Sequence, residues 1–545
     1  MNNHPRDLLD EEFDVVIVGG GSSGAVMARR LSEDPRRRVL LIEAGPERAE
    51  GRAAEAVRGA NQPAVLPGLN WKFHCAIKGD DGAGAARGDT GAGPQAVRGG
   101  VASSFDYEAG RLLGGSSAIN AVQTLRGAPI DFDEWAALCG DDWNWAGVLP
   151  YFRKLEDDPL GPSELHGSGG PLPIRRETPA QLTTLQTGLL DACRAAGRDA
   201  VVDHNDPSRG GVGVIPKNVI DGERISVAQA YLDPVRDRAN LHIVTDAFVT
   251  RLLWRSTALA AGVEVEAAGR TRAVLARHVV VCAGVMHTPC LLMRSGIGDA
   301  AQLAALGIET MHALPGVGVG LQDHPVVGIW GRPKPGIATL GEPLRQVLLR
   351  YSSQASGYEN DMHICMMAGI DVKEMFPRLG DADAAPTIAG LTTCFNKSTS
   401  RGQVRMLSAD PNVRPRISFN CLGDPGYVAP LVEGVRIAWS LINSPQLKPM
   451  FGDLLAWTEG MIRSDVALER AVSTFVRPSA HACGTVRMGL APVGGAVVDP
   501  AGRVFGCDNL WVADASVMPM IPSVPPHLTC LMVAEKLADG LAAAV

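Results

Sequence analysis

The chain has 545 residues, 46% hydrophobic and 20% charged, a net charge of −8 and a pI near 5.9. That length exceeds what one hydrophobic core supports, so two connected domains are expected, and the composition excludes disorder. The acidic balance argues against a nucleic-acid partner, because the one basic cluster, Arg36, Arg37 and Arg38, sits beside Glu33 and Asp34 and reads as a solvated helix end.

Residues 13–18 (FDVVIV) are a short apolar, β-branched run bounded by glycine, the pattern of a buried parallel strand. Gly19-Gly20-Gly21-Ser22-Ser23-Gly24 follows and opens a helical pattern with Ala25, Ala28 and Leu31 on one face. Residues 39–42 (VLLI) form a second strand that ends on Glu43. Gly19, Gly21 and Gly24 fit G-x-G-x-x-G: the first permits a tight turn, the second lets backbone approach a pyrophosphate, the third lets helix and strand pack closely. The helix N-terminus then offers unpaired N–H groups to phosphates, and Glu43 stands where ribose hydroxyls need an acceptor. The pattern predicts dinucleotide binding and leaves NAD and FAD open.

Residues 79–104 are rich in glycine and alanine without periodicity and read as a flexible loop or lid. Residues 110–127 (GRLLGGSSAINAVQTLRG) are a glycine turn suited either to lie against a flat ring or simply to turn. Residues 131–155 look helical, with Trp135, Leu138, Trp143, Trp145 and Tyr151 as packing residues. Residues 240–253 alternate like one strand, and residues 278–282 (HVVVC) are a buried strand that opens a helix at Ala283-Gly284. Strand-like runs at 403–407 and 416–420 are assigned to a mainly antiparallel second domain. Eleven scattered cysteines without a CxxC pair predict neither a disulfide framework nor a metal site, and suit a reducing compartment. The N-terminal MNNHPRDLLDEEFD lacks an apolar signal region, and no run of about 18 apolar residues occurs, so a cytoplasmic protein without membrane contact is expected.

Residues 107–127, 224–232 (RISVAQAYL), 283–298 (AGVMHTPCLLMRSGIG), 315–324 (PGVGVGLQDH), 400–420, 481–489 (HACGTVRMG) and 512–519 (VADASVMP) resemble, in order, the segments of the glucose-methanol-choline (GMC) family of FAD-dependent oxidoreductases. The resemblance implies that Gly19, Gly21, Ser22, Ser23, Gly24, Glu43 and Ala44 hold the ADP half of FAD. It implies that Arg111, Gly114, Gly115, Ser116, Asn120, Ala121 and Val122 lie along the flavin, that the Val249 backbone meets the adenine, and that Ala283 and Gly284 open the second signature. Asp514 and Ala515 match positions near the pyrophosphate and ribityl chain, or Asp514 simply caps its own turn.

His481 occupies the position of the family's active-site histidine. An alcohol is a poor hydride donor until its hydroxyl proton is leaving, and a base titrating near neutrality does that best, here with one ionisation near the ordinary value of about 6.5. The family's second residue, a His or Asn, aligns with Pro525, which has no side-chain donor or acceptor. Members acting on aromatic primary alcohols, such as pyridoxine 4-oxidases and hydroxymethylfurfural oxidases, are similar here. His527 then contributes backbone to the flavin with a structural side chain, unless the register slides and makes it the partner. Ala480 stands where relatives carry a large aromatic, which predicts a roomier site, and Ile119 stands where some carry the flavin-attachment histidine, which predicts non-covalent FAD.

The resemblance predicts an α/β fold. A Rossmann-like FAD-binding domain comes from residues 10–150, 225–330 and 471–545. An α+β substrate-binding domain with an antiparallel sheet comes from residues 151–224 and 331–470. The implied function is FAD-dependent oxidation of a primary aromatic or heteroaromatic alcohol to the aldehyde, as an oxidase using O2 or as a dehydrogenase with another acceptor. A hydroxynitrile lyase, a photodecarboxylase, a nicotinamide dehydrogenase and a non-catalytic flavin-binding module are the alternatives.

Overall fold

The computed structural model describes residues 11–63, 66–77, 104–375, 387–421 and 423–545. The lid expected at 79–104 lies outside the described residues, except for Ser104, which begins a strand.

The first strand, β1 (Glu12–Val18), turns into α1 (Ser22–Leu31) and returns as β2 (Val39–Ile42). All four residues of β2 and five of the seven in β1 are buried, as strands covered on both faces must be. They lie in a seven-stranded sheet ordered Leu241–Val244, β2, β1, Arg270–Val281, Ala260–Ala267, Ala247–Trp254, with Leu510–Val512 also pairing with Arg270–Val281. The pairs of β1 and β2, and that of Leu510–Val512, are parallel, and the three-stranded meander is antiparallel. The buried face of α1 packs on the C-terminal helix His527–Ala544, where Arg30 and the Tyr231 hydroxyl both reach the buried Glu535 carboxylate.

A second seven-stranded, antiparallel sheet runs Phe451–Leu455, Pro325–Pro333, Thr387–Phe395, Met362–Asp371, Val347–Tyr351, Gly211–Val214, with Arg477–Pro478 also pairing with Pro325–Pro333. Side chains alternate faces along a strand. Val327, Ile329, Ile364, Met366, Ala389 and Leu391 therefore face one way, into a core with Leu431, Val435 and Ala438 of helix Val428–Ile442. Val326, Trp330, His363, Met367, Thr392 and Cys394 face the other way, into a large cavity.

Three local expectations need correction. Strands Gly402–Arg405 and Arg416–Ser418 do not join the antiparallel sheet. They pair into a five-stranded sheet with Val319–Leu321, Asn70–Ala76 and Ser104–Gly110, and Val404, Ile417 and Phe419 pack in the first core. Residues 240–253 are two strands, because Asp246 takes a left-handed φ of 53° and turns the chain between them. Residues 131–155 are two helices, Pro129–Cys139 and Trp145–Leu155, broken at Gly140 (φ 94°). Trp135 and Trp143 are buried as expected, but Leu138 is exposed.

Candidate active site

A cavity of about 1370 Å³ runs from the N-terminus of α1 to the face of the antiparallel sheet. Its first end is built by the glycine loop. A Cβ on Gly24 would lie 1.9 Å from the Gly19 carbonyl oxygen, so only glycine lets α1 seat on β1. A Cβ on Gly21 would meet nothing nearer than the Gly115 Cα at 3.8 Å, so that position is open to the cavity and not crowded by the fold. Gly21, Ser22, Ser23, Glu43 and Ala44 line this end with Gly19. The Glu43 carboxylate accepts the Gly20 and Gly45 N–H groups, each at 2.8 Å. Burial raises its pKa to about 6, although those bonds oppose the shift.

Gly115, Ser116, Asn120, Ala121, Val249, Ala283, Gly284, Asp514, Ala515, Pro525 and His527 line the rest. Asp514 lines the cavity and caps its own turn: it accepts the Ser516 N–H (2.8 Å), the Gly284 N–H (2.8 Å) and the Thr288 hydroxyl (2.6 Å). Gly24, Arg111, Gly114 and Val122 are not lining residues. Gly24 is inside the helix–strand contact, and Arg111 spends its guanidinium on the Ala44 and Gly68 carbonyls. The Gly114 N–H is bound to the Gly20 carbonyl (2.8 Å), and the Val122 side chain is fully buried. These four shape the wall from behind.

His481 lines the cavity where its two halves meet. Ala480 before it takes a left-handed φ of 63° and also lines the cavity. Asp323 holds this turn: its Oδ1 accepts the Ser479 and His324 N–H groups and the Ser479 hydroxyl, and its Oδ2 accepts the His481 N–H at 3.0 Å. His324 sits behind His481. Its Nε2 is 2.8 Å from the Pro522 carbonyl, which can only accept, so Nε2 carries the proton. Burial lowers the His324 pKa to about 4, so its Nδ1 is an acceptor. His481 Nδ1, 3.0 Å from that atom and 2.8 Å from Ser479 Oγ, must then be the donor, and the lone pair is left on Nε2.

Burial holds the His481 pKa well below the ordinary value, with the charges of His324, Arg345 and His363 adding to the effect. The expected cancellation of burial against charge, with titration near the ordinary value, is therefore corrected: both act in the same direction. Pro525 and His527 both line the cavity. His527 starts the C-terminal helix, and its Nε2 is buried without a protein partner. Asp323, Ser479, His363 and Arg345 were not singled out from the sequence. Asp323 and His324 lay within a family-like segment, but no local pattern joins them to a histidine 157 residues away.

The residues present suit a bound dinucleotide: a glycine cradle open at Gly21, a helix N-terminus beside it, a buried carboxylate on the ribose side, and a long cavity ending at a histidine. Fold and cavity together are those of a dinucleotide-dependent enzyme, with one long cavity between two sheets. Residues 13–326 and 398–534 match the two models of the GMC oxidoreductase family. The chain is 37% identical to 5-(hydroxymethyl)furfural oxidase of Methylovorus sp. (strain MP688), over 98% of this chain and 99% of that one. It is 31% identical to oxygen-dependent choline dehydrogenase 1 of Chromohalobacter salexigens, over 97% and 94%. Its structure is similar to that of pyridoxine 4-oxidase from Mesorbium loti, with a TM-score of 0.84 and 30% identity over 97% and 99% of the two chains. The chain belongs to the GMC oxidoreductases, a family of FAD-dependent oxidoreductases. Among the described residues no helix is long and apolar enough to cross a membrane.

Proposed function

We propose that this protein oxidises primary aromatic or heteroaromatic alcohols to aldehydes, with His481 as the general base. The observation that carries this reading is the unshared Nε2 of His481, held toward the cavity by the chain Pro522–His324–His481. FAD, when bound, supplies the two-electron acceptor for the hydrogen of the carbinol carbon. His481 Nε2 accepts the hydroxyl proton of the substrate, and its Nδ1–H stays on His324 Nδ1 and Ser479 Oγ, so the ring cannot turn away as it becomes charged.

The glycine loop, Glu43, Gly115, Asn120 and Asp514 would hold FAD, so the first sheet is its binding unit and the antiparallel sheet shapes the substrate side. Trp330, Trp457, Phe475 and Met367 line that side and favour an aromatic ring over a sugar, while Pro525 offers no polar group to an aliphatic chain. The names of the relatives, an oxidase and a dehydrogenase, favour oxidation over lyase or photodecarboxylase chemistry. They also support dioxygen as the final acceptor. Ile119, in place of an attachment histidine, supports a non-covalent cofactor.

The test is an anaerobic screen of alcohols followed by flavin absorbance. Aryl carbinols should bleach the flavin faster than choline or glucose at equal concentration, and admitting oxygen should restore the colour and yield peroxide. The reverse substrate order refutes the aromatic preference, and no bleaching with any alcohol refutes the oxidation.

A further inference from the structure

We propose that Arg345 makes the substrate half of the cavity an anion site, and that the preferred aryl carbinols carry a ring carboxylate. This rests on the reading above and names its substrate class more closely.

Arg345 lies two residues before strand Val347–Tyr351 and lines the cavity, half-buried. Among the described residues its guanidinium makes one hydrogen bond, from Nε to the Met367 sulfur, and no ion pair. Thioether sulfur is a weak acceptor, so both terminal nitrogens of the fork have no oxygen to bind. Of the other cations on the cavity wall, Lys72 pairs with Asp106, Arg294 donates through Nε to the Thr250 carbonyl, and Arg477 donates through one terminal nitrogen to those of Thr474 and Val476; among the described residues Arg345 is the one of the four with no oxygen partner.

The charge of Arg345 reaches the reacting centre, since it helps to keep both His363 and His481 neutral. Glu342, the nearest acid in sequence, receives the Thr339 N–H and makes no ion pair with it. A half-buried guanidinium that faces a cavity and lacks a carboxylate is completed by a ligand that brings one, and its planar fork takes a carboxylate in two parallel bonds. The same charge repels a quaternary ammonium substrate. An aryl ring with its carbinol toward His481 and a carboxylate toward Arg345 meets both groups.

The FAD-loaded enzyme is tested with 4-(hydroxymethyl)benzoate and its neutral methyl ester, and by titration of benzoate and benzamide against the flavin spectrum. The wild type should favour the acid in kcat/KM by at least roughly 10-fold. At a pH above the imidazole range, where burial alone keeps His481 neutral, Arg345→Gln should lose roughly 10- to 100-fold on the acid and in benzoate affinity, while the ester and benzamide stay within about threefold, and Arg345→Lys should fall between. Flavin content and Tm should remain those of the wild type in both variants. The proposal is overturned if the wild type takes the ester as well as the acid, or if Arg345→Gln weakens acid and ester alike, which would assign Arg345 to the cofactor or the fold. Arg345-dependent benzoate binding with no carbinol oxidised would leave the anion site standing and remove the reaction. Ester oxidation without an Arg345-dependent acid preference would do the reverse.

Discussion

His324 Nδ1 and His481 Nδ1 lie 3.0 Å apart, and because His324 is protonated on its far nitrogen, the hydrogen between the two rings belongs to His481. The contact fixes which nitrogen of His481 is basic. It explains how His481 keeps one tautomer and one orientation.

Removing the base should leave binding intact. His481→Ala should keep its FAD and lose about 10²–10⁴-fold in the rate of anaerobic flavin reduction. His527→Ala should keep most of that rate, because its Nε2 is not part of the Pro522–His324–His481 chain. A variant pair with the opposite ranking would move the base role to His527.

In the proposed reaction His324 would act through His481. His324→Ala should lower kcat by about 10- to 100-fold through misplacement of the imidazole, with KM little changed. A change confined to KM would mean that His324 shapes the binding site and does not orient the base.

The acid limb of kcat/KM should fall below the ordinary imidazole range, because burial and neighbouring charge both favour neutral His481. The measurement is the pH dependence of flavin reduction with a non-ionising alcohol such as benzyl alcohol. A limb at or above the ordinary value would show that the site is wetter than its packing implies.

Stability should decline on both sides of neutrality. Burial lowers the pKa of His204, His324 and His527 to about 4 and that of His287 and His363 to about 3. The unfolded chain protonates these groups first, so their contribution, complete above the unfolded value of about 6.5, is lost as pH falls toward 4, at about 1.4 kcal/mol per pH unit for each proton. His166 behaves oppositely. Burial would lower its pKa, but hydrogen bonds to Asp203 and Glu156 outweigh that and raise it to about 9. Its contribution is complete below about 6.5 and is lost as pH rises through 9. Tm against pH should show both flanks, and His166→Gln should flatten the alkaline one.

Two glycines separate cofactor binding from folding. Gly21→Val should fold with a near-normal Tm for the apoprotein but purify colourless, because its side chain enters open cavity. Gly24→Ala should be destabilised whether or not FAD is supplied, because its Cβ meets the Gly19 carbonyl. Absorbance and thermal melts distinguish the two outcomes.

The strand–glycine–helix unit was readable because its order is local: β1, the loop and α1 follow one another, and Gly24 is required by Gly19 five residues earlier. The cavity position of His481 was readable only through a family-like segment. What surrounds it was not. Asp323 and Ser479 meet across 156 residues, and hydropathy carries no signal for such pairing. The strand at 402–405 reads like its neighbours in sequence, yet pairs with the sheet that contains Asn70–Ala76, because alternation says which face is apolar and not which strand lies alongside. Asp246 hid a turn by taking a left-handed conformation without being glycine.

The alternating faces of Pro325–Pro333, Met362–Asp371 and Thr387–Phe395 leave this enzyme unusually open to change of diet. Residues at one parity hold the interior together, and their neighbours at the other parity line the cavity. A saturation library at Trp330, His363, Met367 and Thr392 should therefore return mostly folded, yellow proteins that differ in what they oxidise. The same library shifted by one residue, to Ile329, Ile364, Met366 and Leu391, should return mostly aggregates. New specificities can thus be selected without first trading away thermal robustness.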